Sequence, residues 1–462
     1  MLLATSLGQL RPAAVLAAAV LPLPLAAQSP PSDGATTVPT FVLFGQSNME
    51  GYACSLELPS HLQGQLSGVM IWNFCPGVDA WEPLTAGLNT NVDPGATFCE
   101  GNGLVGPEAA LGSALQAHLG ETVYLMKYGV GGTWLAPPAF DGTGAPCPDA
   151  PPCTGTGGPH NASTSWDPTC GDLYGELLAQ LDAANAALSG ATLDVRGIFC
   201  AQGAWDGVSA CLADPYAANL TDLIATLRGD IQARGLTSLT TIPFIVGQTP
   251  DYVAYTSGIL RPAIDTVRTA QREVVCADAA AGLFDGSDAS FRELGSTDGC
   301  GQPGDGLHFD GAGQAVHGEG LFQAYLDQAC PSLSADTSYI SMALGGSQVI
   351  DFRSQDPASQ AGLYFRLLGS SSGTAGFTWV GVHVPLTIDD YLVDTLGVTP
   401  TYLTGSQGTL PGSAEASVTL SVPATASFVG LRLHHAMTLY DPGPAFPDMS
   451  FASGPVGVNL TY

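Results

Sequence analysis

Phe41-Val42-Leu43-Phe44-Gly45-Gln46-Ser47-Asn48-Met49-Glu50-Gly51 is the stretch on which the reading of the fold turns. Four apolar residues, three of them aromatic or β-branched, end abruptly at Gly45. A run that is apolar at every position reads as a strand of a parallel sheet, buried on both faces and leading into a tight turn. Loops leaving the carboxyl ends of such strands are where α/β proteins place their sites. Ser47 stands there. A serine after a strand is ordinarily turn chemistry. To act as a nucleophile it needs a base, an orienting acid and oxyanion donors from elsewhere in the chain.

Outward from this stretch, strand and helix patterns alternate. Residues 52–105, rich in Gly, Pro, Asn and Cys and carrying Trp72 and Trp81, read as long loops over the site. Gly106-Pro107-Glu108 opens a helix to about Leu119, with proline in its first turn and an acid against the helix dipole. Thr122 to Lys127 reads as a second strand, ending in Tyr128-Gly129-Val130-Gly131-Gly132-Thr133-Trp134. Leu173, Leu177, Leu178 and Leu181 mark an amphipathic helix, and Leu193 to Cys200 a third strand, ending in Ala201-Gln202-Gly203-Ala204-Trp205-Asp206. Helices over 215–234 and 257–275, strands at 242–246 and 281–284, and a closing helix over 312–328 complete a doubly wound α/β domain with a mainly parallel sheet. The loop before that last helix carries Asp305-Gly306-Leu307-His308-Phe309.

After Cys330-Pro331 the pattern changes to short strand-like runs. Tyr364 to Leu368 is one; Ala416, Val418, Leu420 and Val422 alternate with Ser417, Thr419 and Ser421 in another. No amphipathic helix stands out, so residues 338–462 read as an all-β module, a sandwich. No candidate catalytic residue lies in it, and a chain ended near Ser334 is expected to stay folded and to keep its activity on small soluble substrates.

Four strand ends thus carry chemistry: Ser47, Gly131-Gly132, Gln202-Gly203 and the loop with Asp305 and His308. In a doubly wound sheet they lie on one edge. Ser47 would attack, with His308 as general base. Asp305, within reach of His308 inside one loop turn, would hold the imidazole tautomer. The Ser47 and Gly132 N–H groups and the Gln202 side chain would face the oxyanion. Gln46, Asn48, Trp134, Trp205 and Asp206 flank these positions as candidate substrate contacts. His118, His160 and His317 read as helix-surface or loop residues. Each piece alone has a plain reading as a turn or cap; their coincidence at four strand ends is what carries the inference.

These blocks, GQSNM with Gly51, GPE at 106–108, KYGVGGT at 127–133, QGAWD at 202–206 and DGLHF at 305–309, resemble those of the SGNH-hydrolase superfamily. More closely they resemble the carbohydrate-esterase family of sialate O-acetylesterases and acetylxylan esterases, over about residues 38–328. The resemblance implies a flavodoxin-like three-layer fold and a serine esterase, independent of metal or cofactor, that removes acetyl groups from sugar hydroxyls. It implies Ser47 as nucleophile, His308 as base, Asp305 as its partner, and Gly132 or Gly131 with Gln202 as oxyanion donors. Relatives commonly read QGE where this chain has Gln202-Gly203-Ala204. Asp305 then orients the histidine alone, or Asp206 contributes. A broader short-chain esterase, and a carbohydrate-binding protein on an inactive scaffold, are the alternatives.

Composition bounds the setting. The 462 residues suffice for two cores, and a net charge of −29 disfavours nucleic acid and anionic membranes as partners. Arg11, the apolar run Ala13 to Leu25 and Ala26-Ala27 before Gln28 fit a cleaved secretory signal over residues 1–27. The run contains Pro22 and Pro24 and is short for a membrane span, so no stable insertion is expected. The 11 cysteines form no zinc-type pairs and read as disulfides of a secreted or periplasmic protein. Short-range pairings of Cys147 with Cys153, Cys200 with Cys211 and Cys276 with Cys300 are candidates. Asp285, Asp288, Asp298 and Asp310 crowd glycine-rich loops, but their spacing is not that of an EF-hand, and no metal site is expected.

Overall fold

A computed structural model describes residues 36–75, 78–90, 103–135, 165–169, 171–251, 263–397, 400–441 and 449–461. The expected signal segment, Cys99, Cys147, Cys153 and His160 lie outside the described residues. Seven strands form the central sheet: β1 (Thr36–Gly45), β2 (Gln65–Asn73), β3 (Ala80–Thr85), β4 (Val123–Gly129), β5 (Ala191–Ala201), β6 (Phe244–Gln248) and β7 (Ala281–Asp285). Their order is β3-β2-β4-β1-β5-β6-β7, and every neighbouring pair runs parallel except β2 with β3. β1 lies at the centre, so the apolar run Phe41–Phe44 is fully buried. Each such side chain contributes about 1.5–3 kcal/mol of transfer free energy.

Alternation along β1 divides the core. Val42 and Phe44 pack with Leu177, Leu223 and Val267, which belong to α2 (Asp172–Ala186), α3 (Tyr216–Ala233) and α4 (Ile264–Ala277). Phe41 and Leu43 face the other way, onto Leu111 and Leu115 of α1 (Glu108–Leu119) and Leu321 of α5 (Gly311–Asp327). Helices therefore cover both faces of a mainly parallel sheet, in a mixed α/β fold.

The stretch expected to be loop over 52–105 instead contains the edge hairpin β2–β3. Trp72 pairs with Trp81 across it, and Trp72 is buried. Gly68, a register irregularity and the polar residues of an edge strand hide this hairpin from a periodicity reading.

Beyond α5 the chain forms two larger sheets and a two-stranded hairpin, Phe377–Trp379 with Val382–Val384. One joins Leu333–Ala335, Gly346–Arg353, Glu415–Val422 and Leu403–Thr404; the other is built on Arg432–Tyr440, flanked by Tyr364–Ser370 and Val456–Thr461. Ile350, Val418 and Leu420 of the first sheet share a core with Leu367, Met437 and Val458 of the second. This part is not purely β. An eight-residue helix, Asp390–Gly397, packs Leu392 against Leu368 and Ala436. Asp389 starts it by accepting the Leu392 N–H at 2.8 Å.

The disulfides differ from the short-range expectation. Cys54 is bonded to Cys300 and Cys276 to Cys330. Cys200 is a free, buried thiol, while Cys211 is disulfide-bonded, so those two are not partners. Cys75 is likewise free and buried. Among the described residues, no helix is long and apolar enough to cross a membrane.

Candidate active site

The serine turn follows from two close approaches. Gly45 has φ 140°, and a Cβ there would stand 2.2 Å from the Ala201 carbonyl oxygen. Gly51 has φ 99°, and a Cβ there would stand 2.2 Å from the Gly106 nitrogen. Only glycine fits either place. Between them Gln46 N–H bonds Ala201 O at 2.8 Å, the chain leaves the sheet, and Ser47–Glu50 forms one helical turn with Ser47 half-buried at its start.

The neighbours of Ser47, Gln46 and Asn48, border a small cavity beside it and are also bonded within the structure. The Gln46 side chain accepts N–H bonds from Gly203 at 3.1 Å and Ala204 at 3.0 Å, and donates to the Thr133 carbonyl. It knits together the ends of β1, β4 and β5. Asn48 Oδ1 accepts the Phe309 N–H at 3.1 Å, and the Asn48 carbonyl accepts from Gln314 Nε2 at 3.1 Å. Asn48 thereby ties the serine turn to the histidine loop. Gln46 and Asn48, the expected substrate contacts, thus also fasten the strand ends.

Asp305 and His308 meet as the sequence suggests. Asp305 Oδ1 accepts the N–H of Leu307 at 2.9 Å and of His308 at 3.0 Å, while Oδ2 lies 2.7 Å from His308 Nδ1. Burial pushes the Asp305 carboxyl up, but the His308 ring and these N–H groups outweigh it and hold it well below the usual carboxylate range. The Tyr52 ring stacks on the His308 ring, with centroids 4.6 Å apart and planes 13° from parallel. Buried Arg292 steadies the loop: its backbone N–H bonds His308 O at 2.8 Å, and Nη1 reaches the Tyr52 carbonyl at 3.2 Å and Asp305 Oδ2 at 3.4 Å. Asp206 lies elsewhere, fully buried, accepting from Leu135 N–H at 3.1 Å and Gln202 Nε2 at 2.7 Å.

The candidate oxyanion donors separate. The Gly131 N–H is held by Glu50 Oε2 at 2.6 Å. The Gln202 amide donates to Asp206 at 2.7 Å and to Thr133 O at 3.4 Å, and its Oε1 accepts from Tyr216 at 2.9 Å. Both are thus engaged in hydrogen bonds within the structure. The N–H groups of Ser47 and Gly132 have no hydrogen-bond partner among the described residues. The two loops adjoin: a side chain on Gly131 would stand 3.4 Å from the Ser47 Cβ. Beneath them Lys127, the single lysine of the chain, is buried, bonding Glu108 at 2.8 Å, the Glu50 carbonyl at 2.7 Å and the Thr90 carbonyl. The GPE and KYGVGG blocks therefore act as one support under Glu50 and Gly131.

A small cavity beside Ser47 is lined by Gln202, Trp205, Thr249, Pro250 and Phe309. Trp134 stacks behind Trp205 at 5.6 Å. His317, expected at a helix surface, faces inward between Phe284 and Phe309, and burial lowers its pKa to about 3. His118 is exposed. The crowded acids are engaged: Asp285 with Arg268 at 2.7 Å, Asp288 with Arg432 at 2.9 Å, Asp298 with Arg292 at 3.6 Å, and Asp310 with the Gly313 N–H at 2.7 Å. Three residues of the site escape sequence reasoning. Glu50 is within the serine motif, where a buried acid is a signal, but nothing in the sequence points to Tyr52 or Arg292.

The serine turn, the Asp305–His308 pair and the Gly132 loop stand at the ends of strands of a mainly parallel sheet, and the chain falls in the class of carboxylic ester hydrolases. The family model described as carbohydrate esterase, sialic acid-specific acetylesterase, matches residues 37–327, and the chain belongs to this family of carbohydrate esterases. Among solved structures, a protein from Arabidopsis thaliana is similar at 21% identity, covering 63% of this chain and 99% of its own, with a TM-score of 0.42. NanS is similar at 15% identity, covering 63% and 97%, with a TM-score of 0.44. A carbohydrate acetylesterase family member from Sinorhizobium meliloti is similar at 13% identity, covering 63% and 98%, with a TM-score of 0.31. No curated protein matches the chain.

Proposed function

We propose that this carbohydrate esterase is a secreted or periplasmic O-acetylesterase working by Ser47, His308 and Asp305 in an SGNH-type, flavodoxin-like domain over about residues 36–330. One observation carries the mechanism: the 2.7 Å contact from Asp305 Oδ2 to His308 Nδ1, with Oδ1 fixed by two backbone N–H groups. A carboxylate oxygen can only accept there, so Nδ1 carries the proton in this reading and Nε2 is the base. His308 Nε2 takes the Ser47 proton as Oγ attacks the acetyl carbonyl carbon. The Ser47 and Gly132 N–H groups receive the oxyanion. Collapse breaks the bond to the sugar oxygen, which leaves with the proton from His308. Water, deprotonated by His308, then attacks acetyl-Ser47; the bond to Ser47 Oγ breaks, Oγ takes the proton back from His308, and the acetate product departs. The Asn48 bond to Phe309 supports this reading, because it seats the histidine loop against the serine turn. Family membership supports an acetylated carbohydrate as substrate. The long-range disulfides support an oxidising compartment.

The test is Ser47→Ala, assayed on 4-nitrophenyl acetate, acetylated xylan and O-acetylated sialic acid. Turnover is expected to fall by about three to four orders of magnitude or more with the fold intact. Near-normal rates in the variant would remove Ser47 from the mechanism. A wild-type chain inert on every acetyl ester would favour a binding protein on an esterase scaffold.

A further inference from the structure

The C-terminal sheets touch the catalytic part at several points, among them Ser338 Oγ on Asp265 at 2.6 Å and Arg272 on the Ala335 carbonyl at 3.0 Å, and one further contact reaches the strand end beside Ser47. Arg432, at the start of strand Arg432–Tyr440, reaches across and grips Asp251 with Nη1 at 2.8 Å from both carboxylate oxygens. Its Nε meets Asp288 at 2.9 Å, where His434 Nδ1 also approaches, at 3.4 Å. Asp251 is 1% exposed, so its charge is tolerated only with a partner. Arg268 is the other cation in its field.

Asp251 lies just past the carboxyl end of β6, in the stretch 248–251. Every residue of that segment except Pro250 is fastened. Gln248 Nε2 donates to Arg268 O at 2.8 Å, and Thr249 N–H to Gln271 Oε1 at 3.1 Å. The Asp251 N–H donates to Ser287 Oγ at 3.0 Å. Ser287 is held by Asp285, which pairs with Arg268, and Arg268 in turn bonds the Thr249 carbonyl. Thr249 and Pro250 are walls of the cavity that Ser47 enters. Gln271 also bonds the Gln202 carbonyl at 2.7 Å, so the same network supports the end of β5.

We propose that Arg432 is a positioning residue through which the C-terminal sheets set the cavity wall at 248–251, and with it the fit of the substrate beside Ser47. The part of the chain without catalytic residues then belongs to the working esterase. It adds to the expectation that a chain ended near Ser334 stays active on small soluble esters: the fit of an acetylated sugar then depends on the C-terminal sheets. The proposal rests on the reading of the Ser47 cavity as the active site.

The full chain is tested as Arg432→Met, Arg432→Lys and Arg432→Met with Asp251→Asn. In Arg432→Met the buried carboxylate loses its bidentate partner, and KM for an acetylated sugar is expected to rise about tenfold with a smaller change in kcat. Asp251→Asn in that background removes the stranded charge and is expected to return KM to within about threefold of wild type. Arg432→Lys keeps the charge without the fork and is expected to fall between. If Arg432→Met does not fold, the lysine variant decides: a raised KM supports the proposal and a wild-type KM overturns it. Lower thermal stability with unchanged KM, or no recovery in the double variant, overturns it. Hydrogen exchange of the Asp251 amide gives a readout independent of turnover. It is expected to speed up in Arg432→Met and slow again in the double variant, and unchanged exchange overturns the proposal. Failure of the active-site reading looks different, as an active Ser47→Ala protein or an inert wild type.

Discussion

Asp305→Asn puts the proposed mechanism under strain in a way the geometry makes calculable. The carboxylate has two distinct jobs. Oδ1 accepts the Leu307 and His308 N–H groups, and Oδ2 faces His308 Nδ1 and the Arg292 guanidinium. An asparagine can keep its oxygen on only one side. With the oxygen toward the backbone, its NH2 group faces Nδ1, which must then accept, and the ring proton moves to Nε2, where it cannot act as base toward Ser47. Flipping the amide restores the tautomer but sets NH2 against two backbone N–H donors. Losing two such bonds costs about 2–6 kcal/mol at about 1–3 kcal/mol for each unsatisfied group. The flip is therefore disfavoured by roughly 30-fold or more. Loss of the carboxylate charge beside the forming imidazolium adds to this, and in a serine protease triad the same change costs about four orders of magnitude. An ester carbonyl is more reactive than an amide, so kcat/KM on 4-nitrophenyl acetate is expected to fall by roughly two to four orders. Steady-state kinetics at a pH where the wild-type rate is maximal measure it, with circular dichroism as the control for folding. Asp206→Asn, which removes a buried acceptor for Leu135 and Gln202 rather than the partner of His308, is expected to cost much less. A crippled Asp206→Asn enzyme beside a nearly normal Asp305→Asn enzyme would refute the assignment of the acid.

Two further outcomes follow from buried groups. His317 has its pKa lowered from 6.5 to about 3 by burial, so the unfolded chain binds the extra proton between those values, and stability falls as pH drops below about 6.5. Its share between pH 7 and pH 5 is about 2 kcal/mol, and urea melts at the two pH values should show a shallower loss in His317→Leu than in wild type; identical losses would contradict the burial argument. Lys127→Met strands Glu108 beneath the serine turn and is expected to cost about 3–5 kcal/mol in denaturant unfolding, with part regained by adding Glu108→Gln. Unchanged stability would mean that this pair does not support the turn.

What the sequence made legible was the part in which each residue states its own environment. Phe41–Phe44 could be read as a central strand because a strand buried on both faces has no polar alternation to confuse it. Asp305 and His308 could be paired because three residues of loop bring them together without help from the rest of the fold. The edge hairpin at 65–85 was not legible, because its edge strand β3 mixes polar and apolar residues and β2 beside it is interrupted at Gly68. Side-chain direction was lost for the same physical reason throughout. Gln202 stands at the expected strand end, but Asp206 and Tyr216 decide where its amide points. Gly131 stands in the expected loop, but Glu50 has taken its N–H. Tyr52 over His308, Cys54 with Cys300, and Arg432 with Asp251 join segments far apart in the chain. Such contacts are set by the packed tertiary structure and leave no local pattern.

The central claim is that Ser47 is the nucleophile, and covalent labelling tests it most directly. A fluorophosphonate, which reacts with activated serines, is incubated with the full chain, and the modified peptide is located by mass spectrometry while residual activity on 4-nitrophenyl acetate is followed. One label per chain, on Ser47, with activity lost in proportion to labelling and no labelling in His308→Ala, is the predicted result. Labelling at another serine, or full activity in a chain labelled at Ser47, would contradict it.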